Sequence, residues 1–188
     1  DSYTDEEGVK KQGFVFALIN RDIVNTCLSV TSRCHLSTTR ISCRPFNYAN
    51  LLDCIPENPE VSAVLDMNYT CSTLSIYVNN RLNFVRKLPI SWERFSQSLT
   101  ETFMCNEEKE ALSFKEAEDI LTTFGIPQDN NQNIRGNIQA NHIIPLMHPC
   151  LETQARDLVF SFNYFKKNNN KKSPAKLYLS GYGAYFKN

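Results

Sequence analysis

The sequence lacks an excess of charge of either sign. Lys plus Arg total 20 and Asp plus Glu total 20 in 188 residues, so the formal net charge is zero. A nucleic-acid-binding domain needs a basic surplus to meet phosphate, and this balance argues against nucleic acid as a partner. Long apolar runs are also missing. The longest is residues 14–19, six residues, where a membrane-spanning helix needs about 20. Residues 1–7 (DSYTDEE) are acidic and polar, unlike the basic and apolar start of a secretory leader. No CxxC pair occurs among Cys27, Cys34, Cys43, Cys54, Cys71, Cys105 and Cys150, which speaks against a zinc finger or ribbon. An odd count without tight pairs is not a disulfide framework. The expectation is seven reduced thiols in a cytosolic protein, with Cys27, Cys43, Cys54 and Cys71 buried among apolar neighbours. A secreted, disulfide-bonded protein is the alternative, and the sequon Asn68-Tyr69-Thr70 is its support.

What is present suits a packed chain. A hydrophobic content of 41% and a charged content of 21% allow a core, and the length suits one domain or two small ones. Residues 13–19 read as a buried strand. Asn20 is placed to cap a helix, with Asp22 in its first turn and Ile23, Val24, Cys27 and Leu28 on one apolar face. Residues 38–43 read as a second strand and residues 46–54 as a short helix. The prolines at 56 and 59 break the chain there, and a boundary is placed between residues 1–58 and residues 59–188.

Residues 61–65, 72–78 and 82–85 read as three strands. Asn79-Asn80 joins the last two, because asparagine tolerates the positive φ of a two-residue hairpin turn. Ser91 then caps a helix of about 13 residues with Phe95, Leu99 and Phe103 on one stripe. Ser113 and Glu116 form a capping box for the next helix, whose inner face carries Phe114, Ala117 and Leu121 and which Gly125 stops. Residues 128–141 are polar and read as an exposed connection. Pro149 opens a long helix with Leu151, Ala155, Leu158, Val159, Phe162 and Phe165 inward, and residues 166–172 read as a solvated basic loop. Residues 175–179 form a strand that enters Ser180-Gly-Tyr-Gly-Ala184. A strand running into a glycine turn is either a phosphate cradle or a plain tight turn. His142, His148 and Cys150 are close enough for a metal cluster, but histidines beside prolines are more often polar loop residues.

Three segments in this order resemble a known family. They are Val61-Ser-Ala-Val-Leu-Asp66 with the two strands after it, Leu112-Ser-Phe-Lys-Glu-Ala-Glu-Asp119 with Phe124-Gly-Ile-Pro127, and Leu177-Tyr-Leu-Ser-Gly-Tyr-Gly-Ala184. Together they are similar to the PilM-type actin-like proteins of type IV pilus and type II secretion assembly, relatives of FtsA. The resemblance covers residues 9–188. It implies an α/β, actin-like (ribonuclease-H-like) fold comprising the end of the first half and most of the second. The family's first phosphate loop has no counterpart in these residues, so the resemblance implies a fragment or a shortened relative.

The resemblance also implies a nucleotide site at Asp66, Asn68, Thr70, Ser72, Glu118, Gly181, Gly183 and Ala184, with Asp66 holding a Mg²⁺-bound water. Three departures weaken that site. Asn68 stands where the family has glycine, Tyr182 separates Gly181 from Gly183, and Leu121 stands where a lysine is expected. No cofactor is therefore expected, and ATP with Mg²⁺ would bind only at low affinity. The functional expectation is a non-catalytic cytoplasmic scaffold, peripheral at the inner membrane. It would bind the cytoplasmic segment of a bitopic inner-membrane assembly protein, and homo-oligomerisation stays open. An active actin-fold ATPase and an FtsA-like cell-division anchor are the alternatives.

Overall fold

The computed structural model describes residues 2–4, 8, 10–12 and 16–186. A first antiparallel pair, β1 (Ser2–Thr4) and β2 (Lys10–Gln12), is followed by helix α1 (Arg21–Arg33). Asn20 caps α1 as expected, its side-chain oxygen accepting from the Asp22 amide at 2.7 Å. Among the described residues the apolar face of α1 has no cover, however: the helix has no buried residue. The expected strand at 13–19 and its burial are both corrected over residues 16–19. They are irregular, with Phe16 77% and Leu18 88% exposed; residues 13–15 lie outside the described residues. Residues 38–43 are likewise irregular rather than a strand. A strand requires a neighbour to take its backbone hydrogen bonds, and among the described residues neither segment has one.

Helix α2 (Arg44–Asp53) carries Pro45 in its first turn, where the missing amide costs nothing. Leu52 from α2 joins Val64 and Tyr77 in one apolar cluster. The helix therefore packs across residues 55–59 onto the sheet that follows. That sheet has four strands in the order β10-β3-β4-β5. It contains β3 (Val61–Met67), β4 (Ser72–Val78), β5 (Arg81–Leu88) and β10 (Lys176–Gly181).

The β4–β5 hairpin turns through Asn79 and Asn80 at φ of 49° and 60°, the positive pair that a type I′ turn requires. β3 is buried along its whole length, as befits a strand with neighbours on both edges and helices over both faces. β5 alternates exposed and covered positions from Arg81 to Leu88, the pattern of a strand with one face in solvent. The face of the sheet opposite α2 carries Ala63, Leu65, Leu74 and Ile76 against Phe165.

The remaining elements build a second core beyond the strand ends. Helix α3 (Trp92–Ser98) is shorter than expected. Phe103 leaves the helix for the hairpin β6 (Phe103–Cys105) and β7 (Glu108–Glu110), yet it stays buried with Phe95 and Leu99. In helix α4 (Phe114–Phe124) the capping box forms in both directions. The expected exposed connection is corrected to a small hairpin, β8 (Asn133–Arg135) and β9 (Ile138–Gln139), whose Ile134 and Ile138 are buried. Helix α5 (Ala140–Asn168) starts well before Pro149 and carries Pro145 and Pro149 inside it. Each proline removes one helical hydrogen bond. Full burial of Ile143 and Met147 in the same stretch offsets that loss. The basic residues Lys166 and Lys167 belong to its last turn, where cations suit the helix dipole.

The cysteine expectation divides. All seven thiols are free. Burial among apolar neighbours is corrected: Cys27 and Cys54 are exposed, Cys43 and Cys71 are half-buried, and only Cys105 is buried. Cys27 lies on the uncovered face of α1, so its apolar neighbours in sequence have no surface to bury against.

Candidate functional site

Two chain segments meet at the carboxyl ends of β3 and β10. The strands are parallel, with Ser180 opposite Asp66 and Gly181 opposite Met67. Binding crevices in α/β proteins lie at such strand ends, because loops leave the sheet there and strands no longer fill the space. After Met67 the chain turns tightly, with the Asn68 amide donating to the Cys71 carbonyl at 3.0 Å. The Trp92 amide donates to the Asn68 carbonyl at 3.1 Å and fixes the turn to the start of α3.

Gly181 shows why glycine is needed here. It sits at φ +65°, and a Cβ would lie 2.5 Å from the Met67 carbonyl oxygen and 2.9 Å from Asp66 Oδ1. A Cβ on Gly183 would meet the Met67 side chain at 3.1 Å. Both glycines therefore serve a close approach between the turn and the end of β3. Tyr182, between them, lies over Trp92 at a ring separation of 5.3 Å and meets Tyr69 edge-on at 6.0 Å. Trp92 also stacks on Phe186 at 5.7 Å. Tyr69, Trp92, Tyr182 and Phe186 thus form an aromatic cluster beside the turn, whose Gly181 and Ala184 stay exposed.

Asp66 is 3% exposed. Its Oδ2 accepts from Arg44 Nη1 at 3.1 Å and from Asn68 Nδ2 at 3.0 Å. Arg44 Nη1 donates in turn to Asn68 Oδ1, so the three side chains close a ring. Asp66 Oδ1 is buried without a hydrogen-bond partner. Tyr48, from the same helix as Arg44, pairs with the Ser180 hydroxyl at 2.8 Å. Burial first, and the Asp66 carboxylate after it, raise the Tyr48 phenol above its ordinary range against the opposing Ser180 hydrogen bond.

The expected site residues divide into two sets. Asp66, Asn68, Gly181 and Gly183 come together, and Thr70 is exposed in the same turn. Ser72 is fully buried and donates to the Ile90 carbonyl at 2.5 Å, so its hydroxyl faces the core. Glu118 reaches the turn through Tyr69, whose phenol is raised by burial and then by that carboxylate. Leu121 is a core residue of α4, and Ala184 lies exposed in the short 3₁₀ turn at Tyr182–Tyr185. Sequence reasoning misses Arg44, Tyr48 and Trp92. Nothing local singles them out, since each acts through a partner distant in the chain. Among the described residues no group of three His, Cys, Asp or Glu is placed to hold a metal ion. His142 instead accepts from the Gln139 amide at 3.1 Å, and His148 pairs with Glu152 at 3.4 Å.

No family model matches this sequence, and no curated protein sequence does. Solved structures do. A chain of the PilM–PilN type IV pilus biogenesis complex superposes with a TM-score of 0.63 at 22% identity, covering 87% of this chain and 42% of that one. MreB5 of Spiroplasma citri bound to AMPPNP gives 0.55 at 11% identity, covering 86% of this chain and 60% of that one. The same protein bound to ADP gives 0.57 at 12% identity, over 88% and 62%. At these identities the likeness establishes the fold, which is actin-like as the sequence implied. The chain spans between 42% and 62% of the length of these neighbours.

Proposed function

We propose that this chain is a non-catalytic scaffold of a type IV pilus or type II secretion assembly platform, acting through protein contacts. Its partner is the cytoplasmic segment of a bitopic inner-membrane assembly protein, and it sits at the membrane through that partner. The observation that carries the reading is the superposition over 87% of the chain on a protein from the PilM–PilN complex. No helix among the described residues is long and apolar enough to cross a membrane, which accords with attachment through a partner.

The test is calorimetry of the chain against a synthetic peptide carrying the cytoplasmic segment of a PilN-type protein. Saturable binding at about micromolar strength is expected. Absence of binding to that peptide, in a chain that is folded by circular dichroism, would overturn the scaffold reading.

A second reading, an actin-fold nucleotide binder, is favoured by the likeness to MreB5 bound to AMPPNP and ADP. Against it stand Tyr182, which separates Gly181 from Gly183, and Asn68 within the turn after β3, where its side chain bonds Asp66. Losing several contacts of about 1 kcal/mol each moves a micromolar site to about 1 mM. Calorimetry with ATP and Mg²⁺ decides between the readings. Binding tighter than about 1 mM that disappears in Asp66→Ala would restore the nucleotide reading.

A further inference from the structure

The cluster at Asp66 carries an inference that stands whether or not the scaffold reading does. The actin-like fold implies a hydrated divalent ion facing the acid at this strand end. The residues present do not fit one. A buried carboxylate needs a compensating charge, and this one has it already: the Arg44 guanidinium at 3.1 Å. The outer oxygen, Oδ2, is taken twice, by Arg44 and by Asn68. The inner oxygen, Oδ1, is buried and lies where a Cβ on Gly181 would come within 2.9 Å. Oδ1 has no hydrogen-bond partner but is closed to solvent, so a hydrated ion could approach the carboxylate only at Oδ2 and would first have to displace the guanidinium. The pair is neutral as it stands, so it exerts little net attraction on a second cation.

The two partners are very unequally buried. The Arg44 side chain is 61% exposed and the Asp66 side chain 4%. The arginine thus closes the crevice from outside, over a buried acid. Its position on the first residue of α2 is set by Tyr48 and Leu52 one and two turns on, which anchor that helix to Ser180 and to Val64. Asn68 completes the arrangement, because its amide bonds both partners at once. Glycine at residue 68 could not do this.

We propose that Arg44 is a tethered cation that takes the place of a divalent metal at Asp66 and keeps metal out. The test is Mn²⁺ binding, followed by the loss of the free-ion paramagnetic resonance signal, on the full chain. Unchanged protein should show no Mn²⁺ uptake that Asp66→Asn abolishes. Arg44→Met should gain such uptake, at least about tenfold tighter than any in the unchanged chain. Arg44→Lys, which retains the charge, should stay closed. The proposal is overturned if the unchanged chain already binds Mn²⁺ through Asp66, or if folded Arg44→Met gains nothing. Should Arg44→Met fail to fold, the double variant Arg44→Met with Asp66→Asn decides. It should fold with a midpoint near that of Asp66→Asn alone, because the guanidinium is needed only while the acid is charged. A double variant that stays unfolded would show that Arg44 has another role.

Discussion

Residues 16–43 and residues 61–88 both carry apolar side chains at regular spacing, yet they have opposite fates. The first stretch forms a capped, amphipathic helix that buries nothing, flanked by irregular chain with Phe16, Leu18, Leu36 and Ile41 in solvent. The second forms three strands whose first member is buried along its whole length. Hydrophobic spacing sets which face of an element is apolar; burial requires a second surface to cover that face. β3 has β4 and β10 on its edges and α2 and α5 over its faces. No core cluster includes a residue of α1.

One residue type, placed once in the uncovered stretch and once beneath the sheet, gives the largest expected effect. Phe165→Ala empties a fully buried site under the sheet and should cost about 3–5 kcal/mol. Phe16→Ala, at 77% exposure, should change stability by less than about 0.5 kcal/mol. Urea denaturation of both variants measures the contrast. A cost above about 1.5 kcal/mol for Phe16→Ala would show that the first region is covered in solution, and the comparison would break.

The glycines sharpen it at the site. Gly181→Ala brings both a strained positive φ and a clash with the Met67 carbonyl, and should cost about 1–3 kcal/mol or more. Gly136 has a similar φ of +54° with nothing within 4 Å, so Gly136→Ala should cost about 1 kcal/mol, the strain alone. Equal costs would mean that the close approach of the two strand ends does not matter. The helix caps come next. Ser113→Ala should shift the global midpoint by about 1 kcal/mol, since α4 is packed in the core. Asn20→Ala removes the same kind of cap from α1. It should lower helicity by circular dichroism without moving that midpoint, because α1 is not coupled to the core.

The smallest effect is one of pH. Glu116 accepts from the Ser113 hydroxyl and amide and pairs with Arg135, which lowers its carboxyl from 4.5 to about 2. A depressed carboxyl stabilises the fold while ionised, so the contribution is whole above about pH 4.5 and fades as pH falls towards about 2. The stability difference between the unchanged chain and Glu116→Gln should shrink over that window, as read by urea midpoints at successive pH values. A difference that is constant with pH would remove the capping box as its cause.

Much of the chain after residue 60 is legible in its residues alone. Asn79-Asn80 specifies a positive-φ turn, Ser113 with Glu116 specifies a helix start, and alternation marks β5. Where sequence and fold differ, the causes are physical. Pro149 signals a helix start because it fits the first turn, but α5 runs through it, since core contacts by Ile143 and Met147 on the preceding turns outweigh a lost hydrogen bond. Ile134 and Ile138 are hidden within a polar stretch, and only the hairpin that pairs them turns both inward. At the candidate site Asp66 and Gly181 are readable from their neighbours. Arg44 is not, because its role exists only once α2 lies across the end of β3.

Local events were written in the residues themselves: the caps, the hairpin turn, the apolar faces, and Gly181 and Gly183 where the turn passes close to Met67. Each depends on a few consecutive residues and their backbone preferences. Tertiary structure alone decided which faces found cover and which charge met Asp66. Parallel pairing of β10 with β3 brought Ser180 and Gly181 to Asp66 and Met67, and the packing of α2 on Val64 and Tyr77 brought Arg44 there as well. Contacts of that kind join residues far apart in the chain. Their energy depends on burial and on the mutual orientation of whole elements, and no short window of sequence carries either.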